Sequence, residues 1–405
     1  MAPKAVVFLS YDGMTDPLGQ SQVLPYLFCL QQKGFQLHLI SFEKPRALSR
    51  PETIAALCQK NGLRWYPQRY HKNPPLLSTL LDLLRMYRCL KRVQAQSGAS
   101  LVHARGYIAA LAALRLKQRQ GIRFLFDMRG FWADEKRDAG AWPQTHWVYN
   151  AVYRFFKRRE SNFMLQSAAA ISLTRAGKNW LLQQFPQLPE SHISVIPCST
   201  DVTLFNAKAI QPQQQAALRQ ALELPETAKL MVYLGSVGTW YLIPELLQLM
   251  ALYLQQEPEA YALFICPGEH AHIQSLAQAQ GIAHRVRIRA VERPQIPLYL
   301  SICRVAAFFI RPSFSKISSS PTKLGEFMAM GLPCISNTGI GDVTELVQKH
   351  GCGALVTSFN EASYRQALAA LPACAPAEHI RNAALQEFDL QVAAEKYAAL
   401  YRAHV

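Results

Sequence analysis

The sequence predicts an α/β protein of two domains, and three observations carry that expectation. Residues 5–10 are apolar and β-prone, a glycine-containing loop follows at 11–22, residues 23–33 have helical periodicity and stop at Gly34, and residues 36–42 form a second apolar run. That order is a βαβ unit, which implies parallel strands. The same order recurs at 305–336, as an apolar run, a serine-rich loop, a helical stretch and a second apolar run opened by Pro333. The third observation is charge. Residues 1–200 hold 27 Lys and Arg against 11 Asp and Glu, a net of +16, whereas residues 201–405 hold 16 of each. A basic half and a neutral half argue for two units with different partners, and the basic one suits an anionic membrane, an anionic acceptor or nucleic acid.

The 405 residues are half apolar, enough for two cores of ordinary size. No uncharged apolar run reaches the length of a transmembrane helix, and the N-terminal apolar run is too short for a signal peptide and reads as a first strand. The nine cysteines, at 29, 58, 89, 198, 266, 303, 334, 352 and 374, are scattered and include no Cys-x-x-Cys pair, which points to a reduced cytoplasmic setting. No His, Cys or carboxylate cluster has metal-ligand spacing, so the sequence predicts no obligatory metal and no resident cofactor.

The most informative stretch begins at Arg311 and ends near 336. Residues 305–310 read as a buried parallel strand. Pro321 can stand at the first position of a helix over 322–330, with Ser320 as its N-cap and Gly331 at its end. A helix N-terminus beside Lys316 and Lys323 is an anion site in waiting. Glu326, one turn into the helix, can accept hydrogen bonds from sugar hydroxyls. An ordinary capped helix in an α/β domain is the plainer reading of this stretch taken alone.

Ser320-Pro321-Thr322-Lys323-x-x-Glu326-x-x-Ala329-x-Gly331-x-Pro333 resembles the donor-binding segment of the family 4 glycosyltransferases. The resemblance implies the GT-B fold: two Rossmann-like domains facing across a cleft, with a C-terminal helix crossing back to the first domain. It implies domains at 1–205 (acceptor-binding), 206–385 (nucleotide-sugar-binding) and 386–405 (the returning helix). It gives Glu326 the ribose of a sugar nucleotide, and places Lys316, Ser319, Ser320, Thr322 and Lys323 around the donor. The family's usual Glu-x7-Glu pair is incomplete, because Ser318 stands eight positions before Glu326.

Along the chain, the family places the glycine of the first loop near the donor phosphates, which makes Gly19 and Gln20 candidates; a plain turn is the alternative. Residues 76–93 put Leu76, Leu77, Leu80, Leu81, Leu84 and Tyr87 on one helical face and Arg85, Arg88 and Arg92 on another. Residues 147–159 mix aromatics with Arg154, Lys157, Arg158 and Arg159. Such helices either bury their apolar faces in the core or lie on an anionic membrane. The strand at 123–126 delivers Asp127 and Arg129 to its carboxyl end, where α/β proteins place ligand groups. Many family members carry a histidine at about the place of Arg129. Asp127 could orient Arg129 or accept an acceptor hydroxyl, and Arg129 could hold a donor or acceptor phosphate; a structural ion pair is the alternative.

Residues 193–205 are similar to the segment that ends the family's first domain. Gly235 and Gly238 follow the strand at 230–234 and let backbone amides approach a phosphate. The family's Arg and Lys of this segment are replaced by Ser236 and Tyr241, so Lys316, Lys323 or Arg311 is expected to supply the charge. Gly339 and Gly341 resemble the loop that closes over the donor.

Taken together, the residues and the resemblance predict a glycosyltransferase, and the resemblance implies that it retains the anomeric configuration. It would move a sugar from a nucleoside-diphosphate donor to a glycan or lipid-linked acceptor in cell-surface polysaccharide or lipopolysaccharide synthesis. Asp127, Arg129 and Lys323 are the expected catalytic residues. The protein would be cytoplasmic, with peripheral contact to an anionic membrane and no nucleic-acid partner. A sugar-nucleotide epimerase on the same fold and a non-catalytic anion- or nucleic-acid-binding protein are the alternatives.

Overall fold

The computed structural model describes residues 4–45 and 50–405. The chain forms two compact units. The first runs to Pro197 and includes Leu390–Val405, and the second is Cys198–Asp389.

The first unit is built on seven parallel strands: β1 (Lys4–Ser10), β2 (Phe35–Glu43), β3 (Arg64–Arg69), β4 (Leu101–Arg105), β5 (Arg123–Asp127), β6 (Ala169–Ser172) and β7 (Ile193–Val195). Their order is β3-β2-β1-β4-β5-β6-β7. Val6, Val7 and Leu9 of β1 are fully buried, because helices cover both faces of a parallel sheet. The order of strands reverses between β1 and β4, and ligand crevices of open α/β sheets lie outside the carboxyl ends at such a point. Ser10 of β1 pairs with Arg105 of β4, and Arg105 with Asp127 of β5, so these strand ends are adjacent.

The expected helix over 23–33 is two helices, Pro17–Gln22 and Leu24–Gln32, broken at Val23. Pro17 and Pro25 each sit near a helix start, where their missing N–H costs nothing. β3 was not expected: Arg-Trp-Tyr-Pro-Gln-Arg is an edge strand with a proline in it. The C-terminal helix, Leu390–His404, belongs to the first unit and buries Tyr397 and Tyr401 there.

The second unit has six parallel strands: β8 (Lys229–Leu234), β9 (Ala260–Ile265), β10 (Val286–Arg289), β11 (Cys303–Phe308), β12 (Cys334–Asn337) and β13 (Gly353–Val356). Their order, β10-β9-β8-β11-β12-β13, reverses between β8 and β11. The side-chain amide of Asn337 at the end of β12 donates to the Ile310 carbonyl (3.0 Å) and its oxygen accepts from the Ile310 N–H (2.8 Å), which fixes the chain where it leaves β11.

The helix that follows the serine-rich loop is Thr322–Ala329. Pro321, not Ser320, is its N-cap, and no side chain caps it. The Ser320 hydroxyl instead accepts from the Cys198 N–H (3.1 Å), so it ties the start of this unit to the loop.

Candidate active site

In the second unit the site is built at the ends of β8 and β11. Gly235 leaves β8 with φ +126, a backbone conformation that disfavours any side chain, and a Cβ there would come within 2.9 Å of the Lys323 Nζ. Lys323 is buried on the first turn of its helix. Its amine has no hydrogen-bond partner among the described residues. It lies 3.9 Å from the ring centroid of Tyr241 and 4.3 Å from that of Tyr233, which gives a cation only partial compensation. Burial lowers its pKa to about 7, against the opposing pull of Glu326 and Cys334.

Glu326 stands one turn further on the same helix and is also buried. Its Oε1 accepts from Nη1 of Arg293 at 2.7 Å. Burial raises its pKa, and Arg293 and Lys323 pull it back down. Lys316 is buried in the one-turn segment Phe314–Ser318, its Nζ 3.6 Å over the Trp240 ring, and the Arg311 guanidinium stands 4.9 Å from the same ring. Three basic side chains, Arg311, Lys316 and Lys323, thus stand on segments neighbouring Ser236 and Tyr241. Tyr241 is a wall of the Lys323 pocket, while Ser236 is exposed and its carbonyl accepts from the Tyr233 hydroxyl (2.6 Å).

The other expected donor residues fall around this core. Ser318 is buried, and its hydroxyl donates to the Ser315 carbonyl (2.9 Å), so no carboxylate stands at that place. The Ser319 N–H donates to the Lys316 carbonyl (3.1 Å), and Thr322 is the first residue of the helix. Gly238 is exposed, with its carbonyl accepting from the Tyr241 N–H (3.0 Å). Gly339 is exposed beside Pro312, and the Gly341 N–H donates to the Lys316 carbonyl (2.8 Å), which joins that loop to the lysine's segment.

In the first unit the carboxyl ends of β1, β4 and β5 gather a second group. Asp127 is buried. Its Oδ2 accepts from the Tyr397 hydroxyl (3.2 Å) and lies 3.3 Å from Nε2 of His103, whose Nδ1 is 2.7 Å from the Tyr401 hydroxyl. Nη1 of Arg105 lies 3.9 Å from Oδ2, and Nη1 of Arg129 lies 3.9 Å from Oδ1. Burial alone would raise the Asp127 pKa, but Arg129, His103 and Arg105 outweigh it and hold the carboxyl below its ordinary range. Burial also keeps His103 below its usual value, so the ring is neutral near pH 7. Asp127 thus faces Arg129 as an ion pair at 3.9 Å through Oδ1, while its hydrogen bonds run through Oδ2. Arg129 itself has φ +55, a conformation a non-glycine residue adopts at a cost.

Gly19 lies inside the Pro17–Gln22 helix, where a Cβ would stand 2.2 Å from the Gly13 carbonyl oxygen, so close packing of the loop requires a glycine there. The Gln20 amide donates to the Thr15 carbonyl (3.2 Å). The same loop is held by Glu43, which accepts from the N–H groups of Met14 (3.0 Å) and Thr15 (2.9 Å).

Sequence reasoning missed Arg293, Arg105, His103, Tyr397 and the aromatic walls Trp240, Tyr233 and Tyr241. One signal was available: His103 and Arg105 are two apart on a strand and so share a face of the sheet. Among the described residues no group of three or more His, Cys, Asp or Glu could hold a metal ion.

A family model described as Glycosyltransferase Family 4 matches residues 27–204, and one described as Glycosyl transferases group 1 matches residues 214–385. No curated protein matches the chain. Solved structures match it from end to end, three of them as follows. A sucrose-phosphate synthase from Thermosynechococcus elongatus is 16% identical with a TM-score of 0.71, covering 99% of this chain and 98% of that one. HepE from Anabaena, in complex with UDP and glucose, is 14% identical with a TM-score of 0.70, covering 98% and 99%. WaaG, a glycosyltransferase involved in lipopolysaccharide biosynthesis, is 14% identical with a TM-score of 0.67, covering 98% and 99%. At these identities the structures establish the fold, two parallel-sheet Rossmann-like domains of the GT-B type. The two family models account for most of both units, and the chain belongs to the family 4-like GT-B glycosyltransferases.

Proposed function

We propose that this enzyme transfers a sugar from a nucleoside-diphosphate sugar to a glycan or lipid-linked acceptor in cell-surface polysaccharide or lipopolysaccharide synthesis, with the anomeric configuration retained. The observation that carries the donor reading is Lys323: a buried amine with no hydrogen-bond partner among the described residues, beside a glycine turn and on the first turn of a helix. A diphosphate would supply the missing anion. As the bond from the sugar C1 to the diphosphate oxygen breaks, charge grows on that oxygen, and Lys323 and the helix amides would stabilise it. The acceptor hydroxyl forms the new bond to C1 and its proton leaves with the diphosphate. Glu326 would take the ribose hydroxyls. In this reading the lysines supply the neutralising charge without an obligatory metal, and Arg129, oriented by Asp127, is the anion contact of the first unit. HepE has been seen with UDP-glucose and with UDP, and WaaG acts in lipopolysaccharide biosynthesis; both support the reading.

The test is a thermal-shift panel of UDP, GDP, ADP and CMP on wild type and Glu326→Ala. A nucleotide at about 100 times its dissociation constant adds roughly 2.7 kcal/mol of stability. One nucleoside diphosphate should stabilise the wild type and lose most of that shift in the variant. Equal shifts in both proteins would remove Glu326 from the donor site.

The finer partner we propose is an anionic membrane, on the inner face of the cytoplasmic membrane. In the first unit the helices Leu77–Ser97 and Trp147–Gln166 both pack against the helix Gly106–Gln120. The acidic residues of these three helices are Asp82 and Glu160, and both are buried, whereas Arg85, Arg88, Arg92, Arg154 and Arg158 are exposed. The leucine face expected either in the core or on a membrane is not in the core: Leu77, Leu80 and Leu81 are 61%, 54% and 55% exposed, and Trp147 is 80% exposed. Asp82 anchors the first of these helices, accepting from the Tyr11 hydroxyl (3.0 Å) and the His71 N–H (2.9 Å), and Arg85 reaches the ring of the same His71 (3.0 Å). Exposed aliphatic groups beside unopposed cations suit a lipid surface better than nucleic acid. No helix among the described residues is long and apolar enough to cross a membrane. Reversing the charge of Arg85, Arg88 and Arg92 together should weaken sedimentation with phosphatidylserine vesicles at least tenfold, since each basic residue near such a surface contributes about 1 kcal/mol. Unchanged sedimentation would sink the membrane contact.

A further inference from the structure

We propose that Arg293 is a positioning residue of the donor site: it holds Glu326 ionised and turned so that one carboxylate oxygen remains for the ribose hydroxyls. The inference rests on the reading of Glu326 as the ribose contact. Glu326 lies in the Thr322–Ala329 helix, and Arg293 opens the one-turn segment Arg293–Gln295 beyond edge strand β10. The guanidinium Nη1 meets Oε1 at 2.7 Å, and Glu326 is 4% exposed. No donor among the described residues bonds the second carboxylate oxygen. Arg293 is fixed in turn, since its guanidinium carbon lies 5.2 Å from the ring centroid of the fully buried Phe205.

The chemistry follows from burial. An isolated buried carboxylate takes up a proton, and a carboxylic acid offers a diol a poorer acceptor than an anion does. The charged groups facing Glu326 are Arg293 and, one turn back on its own helix, Lys323. Lys323 sits at about 7 and is only partly charged at neutral pH, so the permanent charge beside Glu326 is Arg293.

Titration calorimetry with UDP, GDP and ADP and their 2′,3′-dideoxy counterparts, from about pH 6 to about pH 9, tests this. The readout is the preference for ribose over dideoxyribose. Comparing the two sugars removes effects common to both, the titration of Lys323 included. Wild type should keep a steady preference across the range. In Arg293→Gln the preference should fall about tenfold at the acid end, the worth of one charged hydrogen bond, and recover as rising pH ionises Glu326. Arg293→Lys should keep most of it. Glu326→Gln should lose the preference at every pH. An Arg293→Gln protein with the wild-type preference throughout, or with a loss that pH does not reverse, overturns the proposal. If Arg293→Gln does not fold, an Arg293→Lys protein with no preference at any pH does so too. A Glu326→Gln protein that keeps the preference overturns the ribose reading instead. Failure of all three nucleotides to bind the wild type overturns both.

Discussion

Lys323→Met is expected to abolish most of the transfer rate, by roughly 10²–10³-fold, while leaving the protein as stable as wild type or more so. The rate follows from the cost of removing one preorganised charge from a developing anion. The stability follows from the opposite side of the same geometry. Lys323 is buried with no hydrogen-bond partner among the described residues, and burial lowers its pKa to about 7. Below that value the folded protein holds a desolvated cation, and up to the ordinary lysine value the unfolded chain binds the proton more tightly. Stability therefore rises with pH between about 7 and the lysine range, and the lysine is a net cost at neutral pH. Methionine has similar length and packs against Tyr233 and Tyr241 without that cost. A site residue is often kept at the expense of stability. The check is a melting temperature and a turnover rate on the same preparation. A variant that loses activity and melts well below wild type would mean that Lys323 is a structural residue.

The same lysine makes a pH prediction for donor binding. With a pKa near 7 in the free protein and a higher one beside a diphosphate, binding near neutral pH takes up a fraction of a proton. Affinity should be full below about pH 6 and fall as pH rises above 7. Calorimetry in two buffers of different ionisation heat reads the uptake directly. Lys323→Met should show none from this group.

How far the sequence could be read depended on whether cause and effect were close in the chain. Lys323 and Glu326 are three apart on one helix, so their spacing placed them together. The strands at 5–10 and 305–310 were legible because buried parallel strands are continuous apolar runs. β3 was not, since Arg64, Pro67 and Arg69 are tolerated only because the strand lies at an edge. The leucines of 76–84 obeyed a helical period, but a period cannot say whether a face meets a core or solvent. The partners of Glu326 and Asp127 were beyond reach for a related reason. Arg293 is 33 residues from Glu326, and Tyr397 is 270 residues from Asp127. Only the strand order and the return of the C-terminal helix to the first unit bring them together.

Asp127→Asn should be the most damaging change in the first unit, costing about 3–5 kcal/mol of stability as well as turnover. Asparagine keeps the shape but removes the charge that Arg105 and Arg129 face at 3.9 Å. The buried Arg105 would keep only the exposed Asp12 carboxylate (3.5 Å), and Arg129 would lose the carboxylate it faces from a backbone conformation already held at a cost. Tyr397→Phe removes one hydrogen bond and leaves the charges intact, so it should cost about 1 kcal/mol. Acid should separate the two residues that meet here. His103 has a folded pKa below its ordinary value, so the unfolded chain gains protons first and stability declines as pH falls below about 6.5. Asp127 is also depressed, but it is a carboxylate. Its contribution is complete above its ordinary range and is lost only as pH falls below about 4 through the folded value. Asp127→Asn should therefore flatten the loss below pH 4 and leave the decline below 6.5 in place. His103→Gln should do the reverse. Urea unfolding of the three proteins between about pH 3 and 8 gives the comparison, and an Asp127→Asn protein as stable as wild type at pH 7 would show that its carboxylate organises nothing.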